Sequence, residues 1–342
     1  MFHISQKSNA QKRLFILICL IIIFFKKVSI PATRYNLKSE HFYEIFKKDY
    51  IKNNTILIFE PNTYHHECIP GYSKYFIDLG YNVDILLHFS GVDSLTLFEE
   101  RKKIRLLTFN KLNEIELNAK NLSSIIKKYD YVLLQSTERT RYTLYNSLDI
   151  LNMNNSIFVF HNINYMDNNF SNYLTQNRIW TLGKFPKFLQ VNPHSFGNKT
   201  RFFVTSSHGR NYTDLVKYSE KLINENYNFE IIITGRSKYF NSDSLPKNLK
   251  NIFKFRYNVG YLELYLAIDS SDFIVIPLND NSKYDNSFKT IKVSGSIQMV
   301  YGFLKPAIIN QEFAQFYNLD KKNIVYYIID IIFIILLKVQ FF

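Results

Sequence analysis

Between Thr55 and Pro277, apolar runs of five to seven residues alternate with segments of helical period, and this alternation constrains the fold more than any other feature of the chain. Thr55–Phe59 (TILIF), Asn82–His88, Arg105–Phe109, Tyr131–Gln135 and Ser156–His161 read as strands. The stretches between them carry helical patterns at Tyr72–Leu79, closed by Gly80, at Leu122–Lys128 and at Leu144–Leu151. After a less regular stretch, Asn162–Thr200, the same order restarts. Arg201–Thr205, Phe229–Thr234 and Asp272–Pro277 read as strands, and Thr213–Asn226 and Tyr261–Asp269 as helices. Strands that are apolar throughout and separated by helices are covered on both faces, which implies parallel sheets. A chain of 342 residues has room for two such units, each burying its own core.

The ends of the chain fall outside this order. Leu14–Phe25 is 12 uninterrupted apolar residues between Lys12-Arg13 and Lys26-Lys27. As a helix it would measure roughly 18 Å, short of the ~30 Å hydrocarbon layer. Only a poor small-x-small cleavage site follows it, so an N-terminal membrane anchor or interfacial helix is the preferred reading, ahead of an uncleaved signal-anchor and of a buried core helix. At the other end, Ile328–Leu337 is nearly all apolar but contains Asp330. It reads either as a last core element or as the sign of a truncated C-terminus. The chain thus divides into a membrane-proximal apolar and basic segment (1–50), a first Rossmann-like domain (51–165), a linker (166–200) that holds Trp180, a second Rossmann-like domain (201–327) and an apolar tail (328–342).

A hydrophobic content of 46% excludes wholesale disorder, and a formal charge of +13 draws an anionic partner: nucleic acid, an acidic membrane face or a phosphorylated small molecule. Lys and Arg are scattered rather than gathered into a stripe and no nucleic-acid-binding motif occurs, which argues against nucleic acid. The only cysteines, Cys19 and Cys68, offer neither a disulfide framework nor a paired metal motif, so a reducing compartment is expected.

In open parallel sheets ligands gather where strands end and helices begin. In the first half these loops are Glu60–Glu67, Pro70-Gly71-Tyr72, the stretch from Gln135 to Arg139, and His161-Asn162. His66 and Glu67 are the candidate catalytic residues, because activating a hydroxyl needs one proton acceptor within hydrogen-bond reach. A metal site is not expected there: adjacent histidines diverge, and Pro70 takes the last place of a His-Glu-x-x-His pattern. In the second half, Ser206–Arg210 and Gly235–Lys238 each set a glycine beside a guanidinium at a strand end. Ser294-Gly295-Ser296 then opens a helix expected to end near Lys305-Pro306. A helix start rich in small hydroxyl residues suits a phosphate group, and it equally suits plain capping by Ser294.

Four segments together resemble the GT-B type glycosyltransferases, the group 1-like enzymes of bacterial surface polysaccharide assembly. They are HHECIPGYSKYFIDLGYNVDIL, VFHNI, RFFVTSSHGRNYTDLVKYSEKL with FEIIITGRS, and VGYLELYLAIDSSDFIVIPLND with SGSIQMVYGFLKPAII. The resemblance spans about Ile56 to Tyr326. It implies an α/β fold of two Rossmann-like domains facing each other, each a parallel sheet flanked by helices, with the N-terminal apolar helix outside them. It also implies transfer of a sugar from a nucleotide-diphosphate donor to a glycan or lipid-linked acceptor.

On that resemblance Arg210, Arg236, Lys238, Ser294, Gly295 and Ser296 would hold the donor diphosphate, and Asp280, Tyr284 and Asp285 the donor sugar or nucleoside. Pro70, Gly71, Tyr72, His161 and Asn162 would hold the acceptor. No Asp-x-Asp pair occurs, so protein charge rather than a metal would neutralise the leaving group, and no cofactor is implied. The chain departs from the retaining branch in having no Glu between Asn279 and Ser294. A tail without the usual return helix would make this an incomplete or inactive copy. The expected location is the cytoplasmic side, peripheral to an anionic membrane surface or anchored at its inner face by the N-terminal segment. The competing readings are a nucleotide-sugar epimerase on the same fold and a non-catalytic membrane-associated binding protein.

Overall fold

The computed structural model describes residues 35–36, 54–137, 141–161, 179–181, 198–206, 210–240, 242–279, 282–290, 294–317, 319 and 324–327. The apolar segment 14–25, the tail 328–342, Asn162 and Asp280 lie outside the described residues.

Seven strands form the first sheet: β1 (Tyr35–Asn36), β2 (Thr55–Glu60), β3 (Asn82–His88), β4 (Ile104–Phe109), β5 (Tyr131–Leu134), β6 (Ser156–Phe160) and β7 (Ile179–Thr181). Every pair is parallel, in the order β1-β4-β3-β2-β5-β6-β7. The connecting helices are α1 (Ile69–Asp78), α2 (Leu112–Leu117), α3 (Ala119–Ile126) and α4 (Tyr142–Ser147). The second sheet holds β8 (Thr200–Ser206), β9 (Phe229–Gly235), β10 (Phe253–Tyr257), β11 (Phe273–Ile276), β12 (Ala307–Asn310) and β13 (Ile324–Tyr327). These are parallel too, in the order β10-β9-β8-β11-β12-β13. Its helices are α5 (Thr213–Asn224), α6 (Tyr261–Asp269), α7 (Lys283–Thr290), α8 (Gly295–Phe303) and α9 (Gln311–Phe316).

Both strand orders reverse direction once, between β2 and β5 in the first sheet and between β8 and β11 in the second. This is the doubly wound, Rossmann-like plan. Strand side chains alternate between faces, so each strand feeds two layers. Leu57, Phe59, Val132 and Phe158 face α3 and α4, whereas Ile56, Ile58, Ile85 and Leu133 share a cluster with Ile69 and Tyr72 of α1. That second cluster continues without a break into Phe203, Ile274, Tyr265, Ile268 and Phe303 of the other unit. Each such fully buried aliphatic side chain contributes roughly 1.5–3 kcal/mol. The two sheets are therefore joined through the α1 layer of one and the α6 and α8 layer of the other.

The charged residues facing each other on β3 and β4 are paired. Asp84 on β3 accepts from Arg105 on β4 through both carboxylate oxygens and from the Tyr129 hydroxyl at 2.7 Å. Helix α1 stops where the pattern predicts: Gly80 adopts φ +86°, and the amides of Gly80 and Tyr81 return to the carbonyls of Ile77 and Phe76. Nothing lies within 4 Å of a Cβ placed on Gly80, so Gly80→Ala adds backbone strain alone. Its expected cost is ~1–2 kcal/mol, read as a lower midpoint in urea at unchanged slope.

Three readings are corrected by the structure. Ile179–Thr181, inside the stretch taken as linker, pairs with β6 as the edge of the first sheet. Three residues are too few to show a period. The helix expected at Leu144–Leu151 ends after Ser147, because Asp149 turns to φ 57° and a short 3-10 turn follows. Strands β1, β10, β12 and β13 have no counterpart in the sequence reading; β1 lies in the segment 1–50 set apart from the first domain yet pairs with β4, and β10 is an edge strand whose burial alternates. Among the described residues no helix is long and apolar enough to cross a membrane.

Candidate active site between the two sheets

The loops after β2 and β5 meet at the reversal point of the first sheet. Glu60 ends β2 fully buried, its carboxyl accepting from the Asn62 amide at 2.7 Å and from the Ser136 hydroxyl. Burial pushes its pKa up to about 8 against the pull of those two donors, so it is a neutral acid at pH 7. Beyond it the chain turns through His65, which holds φ 65°, a conformation uncommon outside glycine. Two donors clasp the His65 carbonyl in that turn: the Gln135 side-chain amide at 2.7 Å, from across the reversal point, and the Cys68 amide at 3.1 Å.

This turn sends two adjacent histidines to opposite sides. His66 points inward: it is fully buried, its Nε2 donates to the Asn62 carbonyl at 3.0 Å, and a Cβ on Gly91 would stand 2.5 Å from its ring. Burial holds its pKa below the usual value. It is therefore a packed interior residue and not the catalytic base that the sequence suggested. His65 points outward instead, its ring stacked on that of His161 at 3.9 Å between centroids and 6° between planes. His161 donates from Nε2 to the Gln135 carbonyl at 2.9 Å. Burial, with His65 alongside, pushes its pKa down to about 3, so His161 is a neutral platform.

Glu67 lies between the two units. One carboxylate oxygen, Oε1, is 3.6 Å from His65 Nδ1, and the other accepts from the Tyr261 hydroxyl of α6 at 3.1 Å. Burial would raise its pKa, but the contact with His65 outweighs it and holds the carboxyl at about 2. Oε1 also stands 3.7 Å from where a Cβ would be on Gly295, the first residue of α8.

On the far side of the seam, Arg210 follows β8 and Ser294 precedes α8, which brings together the loops at the reversal point of the second sheet. Arg210 donates to Ser294 Oγ at 2.9 Å, and its guanidinium lies 5.5 Å over the Phe288 ring. Ser294 thus does not cap its own helix with its side chain, the alternative left open by the sequence. Ser296 sits one turn edge further in, 3.5 Å from the Thr205 hydroxyl. Arg236 and Lys238 are exposed at the end of β9, one strand removed from β8. The helix start, Arg210 and the His65–Glu67 pair therefore converge, with the exposed pair on the same rim.

Other sequence candidates are placed differently. Pro70, Gly71 and Tyr72 are buried within α1, Tyr72 in the apolar cluster that joins the two units, so none of them presents a surface to an acceptor, which corrects their assignment. Asp285 is fully buried: it accepts from the Asn279 amide at 3.0 Å and so staples the loop after β11, which corrects its assignment to donor sugar or nucleoside. Tyr284 is half-buried, edge-on to Phe288. Sequence reasoning missed Tyr261, which it placed only in a helix, and it singled out the loops of His65 and Gln135 without assigning either residue to the site. The signal for His65 was its place beside His66, without any hint of which ring faces out. Among the described residues no three His, Cys, Asp or Glu side chains gather as a metal ion would require.

Two doubly wound parallel sheets meet with their reversal points at one seam, and loops of both build the site. The chain has the GT-B fold. No family model matches the sequence, and no curated protein matches it. Among solved structures, it is similar to a glycosyltransferase from Rickettsia africae ESF-5, at 17% identity and a TM-score of 0.41 over 76% of this chain and 80% of that one. It is also similar to an alpha-glucosyltransferase (AGT) in complex with UDP, at 10% identity and 0.46 over 77% and 82%. A third is a putative UDP-N-acetylglucosamine 2-epimerase from Listeria monocytogenes, at 9% and 0.40 over 75% and 79%. In this GT-B chain the α8 start belongs to the second unit and the His65–Glu67 pair to the first, so neither unit holds the whole site.

Proposed function

We propose that the chain transfers a sugar from a nucleotide-diphosphate donor to an acceptor hydroxyl of a glycan or lipid-linked glycan. The observation that carries this reading is the opposition of two different chemistries across one seam. Arg210 stands at the start of α8 on one side, and on the other stands the His65–Glu67 pair, of which Glu67 Oε1 lies 3.7 Å from where a Cβ would be on Gly295. A helix N-terminus beside a guanidinium stabilises a diphosphate as negative charge develops on it. The charge comes from the protein, so the reaction is proposed to need no metal.

A carboxylate held at about 2 is a weak base at neutral pH, so Glu67 is assigned to orienting and charge-balancing His65. His65 then takes the acceptor hydroxyl proton. The acceptor oxygen bonds to the anomeric carbon, the bond from that carbon to the diphosphate oxygen breaks, and the nucleoside diphosphate leaves with the electron pair. The +13 chain would work against an anionic membrane surface on its cytoplasmic side.

The test is thermal protection by a panel of nucleoside diphosphates and their sugar conjugates. One member at ~100 times its Kd should stabilise the protein by ~2.7 kcal/mol, a shift of several degrees. If no nucleotide moves the melting temperature at millimolar concentration, the donor-site reading is lost.

A further inference from the structure

A second carboxylate of the first unit also reaches into the second, and nothing in the transfer reaction uses it. Asp93 lies in the 3-10 segment Phe89–Leu95 that follows β3. Its Oδ2 accepts from the backbone amide of Tyr261 at 2.7 Å, across 168 positions of sequence. Tyr261 is the first residue of α6, whose N-cap position is Gly260, and no side chain of the second unit is recorded capping that end. The opening amides of a helix have no acceptor within the helix, so one of these is satisfied in trans. A negative charge there also meets the positive end of the helix dipole.

Two further observations show that the contact is built in. Gly260 has φ −70° and ψ 170°, extended backbone open to any residue, yet a Cβ there would stand 2.7 Å from Asp93 Oδ2. Glycine is therefore needed for the approach of Asp93 and not for its own conformation. The other carboxylate oxygen, Oδ1, is buried with no hydrogen-bond partner among the described residues. The contact at Oδ2 is the one side-chain hydrogen bond that the described residues give this carboxylate.

We propose that Asp93 is a pin between the two units, capping α6 in trans and thereby fixing the register in which Tyr261 meets Glu67. Tyr261 is tied at both ends, by its amide to Asp93 and by its hydroxyl to Glu67. The apolar cluster joining the units is non-directional and cannot by itself select this register. The pin does not depend on which ligand the site takes.

Hydrogen exchange on the full chain without ligand tests it. In the parent protein the Tyr261 amide should be protected although it opens a helix. In Asp93→Ala and in Gly260→Ala, which attack the contact from opposite units, it should exchange ~2- to 30-fold faster, the range for losing a cap. The double variant should exchange no faster than the worse single variant, because both remove one interaction. If Asp93→Ala does not fold, Gly260→Ala alone carries the exchange test. A Tyr261 amide that exchanges as fast in the parent as in the variants, or losses that simply add, would overturn the proposal.

Discussion

Replacing Glu60 with glutamine should stabilise the protein at pH 7 by up to ~3 kcal/mol, with the gain shrinking toward zero near pH 4.5. The carboxyl is sealed at the end of β2 and titrates at about 8, against 4.5 for an ordinary glutamate. Between those values the folded chain keeps a proton that the unfolded chain releases. The unfolded state then binds fewer protons, so stability falls as pH rises, by as much as ~1.4 kcal/mol per pH unit for this one group. Glutamine is isosteric with the protonated acid, can still accept from the Asn62 amide, and does not titrate. Urea melts of both proteins at pH 5, 6, 7 and 8 decide the matter. Parallel stability curves for parent and variant would mean that Glu60 is already ionised in the folded protein.

Replacing Arg210 with alanine should weaken binding of the protecting nucleotide ~10- to 100-fold, the loss expected for a hydrogen bond to a charged group. Lysine should restore only part of this, because a point charge cannot reproduce the planar fork that rests over Phe288 while reaching Ser294. Arg236→Ala is the comparison: exposed at the end of β9, it should cost less and should act mainly through the salt dependence. Calorimetric titration of the three variants measures both effects. Equal affinity of parent and Arg210→Ala would remove the diphosphate from the start of α8.

Much of the frame could be read from local pattern. The strand runs predicted between Thr55 and Pro277 all became strands of two parallel sheets, and Tyr261–Asp269 is a helix over the same residues. Gly80 ends α1 as its position implied. These succeed because burial of both sheet faces imposes an apolar run, and helix ends impose small or flexible residues, whatever lies far away in sequence. Edge elements were less legible: β7 has three residues and β10 alternates, so neither shows the fully apolar signature of a central strand.

The site divides along the same line. Apolar period and glycine placement in the sequence alone determined two doubly wound units, the ends at which ligand loops gather, and Ser294 as the opening of a helix, whereas the meeting of Arg210 with Ser294 across 84 positions was decided by tertiary structure. Which of two consecutive histidines faces the seam was decided by tertiary structure, since the answer lies in the clasp of Gln135 and Cys68 on the His65 carbonyl. The burial of Asp285 and the meeting of Asp93 with Gly260 were decided there as well. The physical reason is range: periodicity reports what a residue's near neighbours require, whereas side-chain direction at a loop and contact across 168 positions depend on how two finished sheets dock.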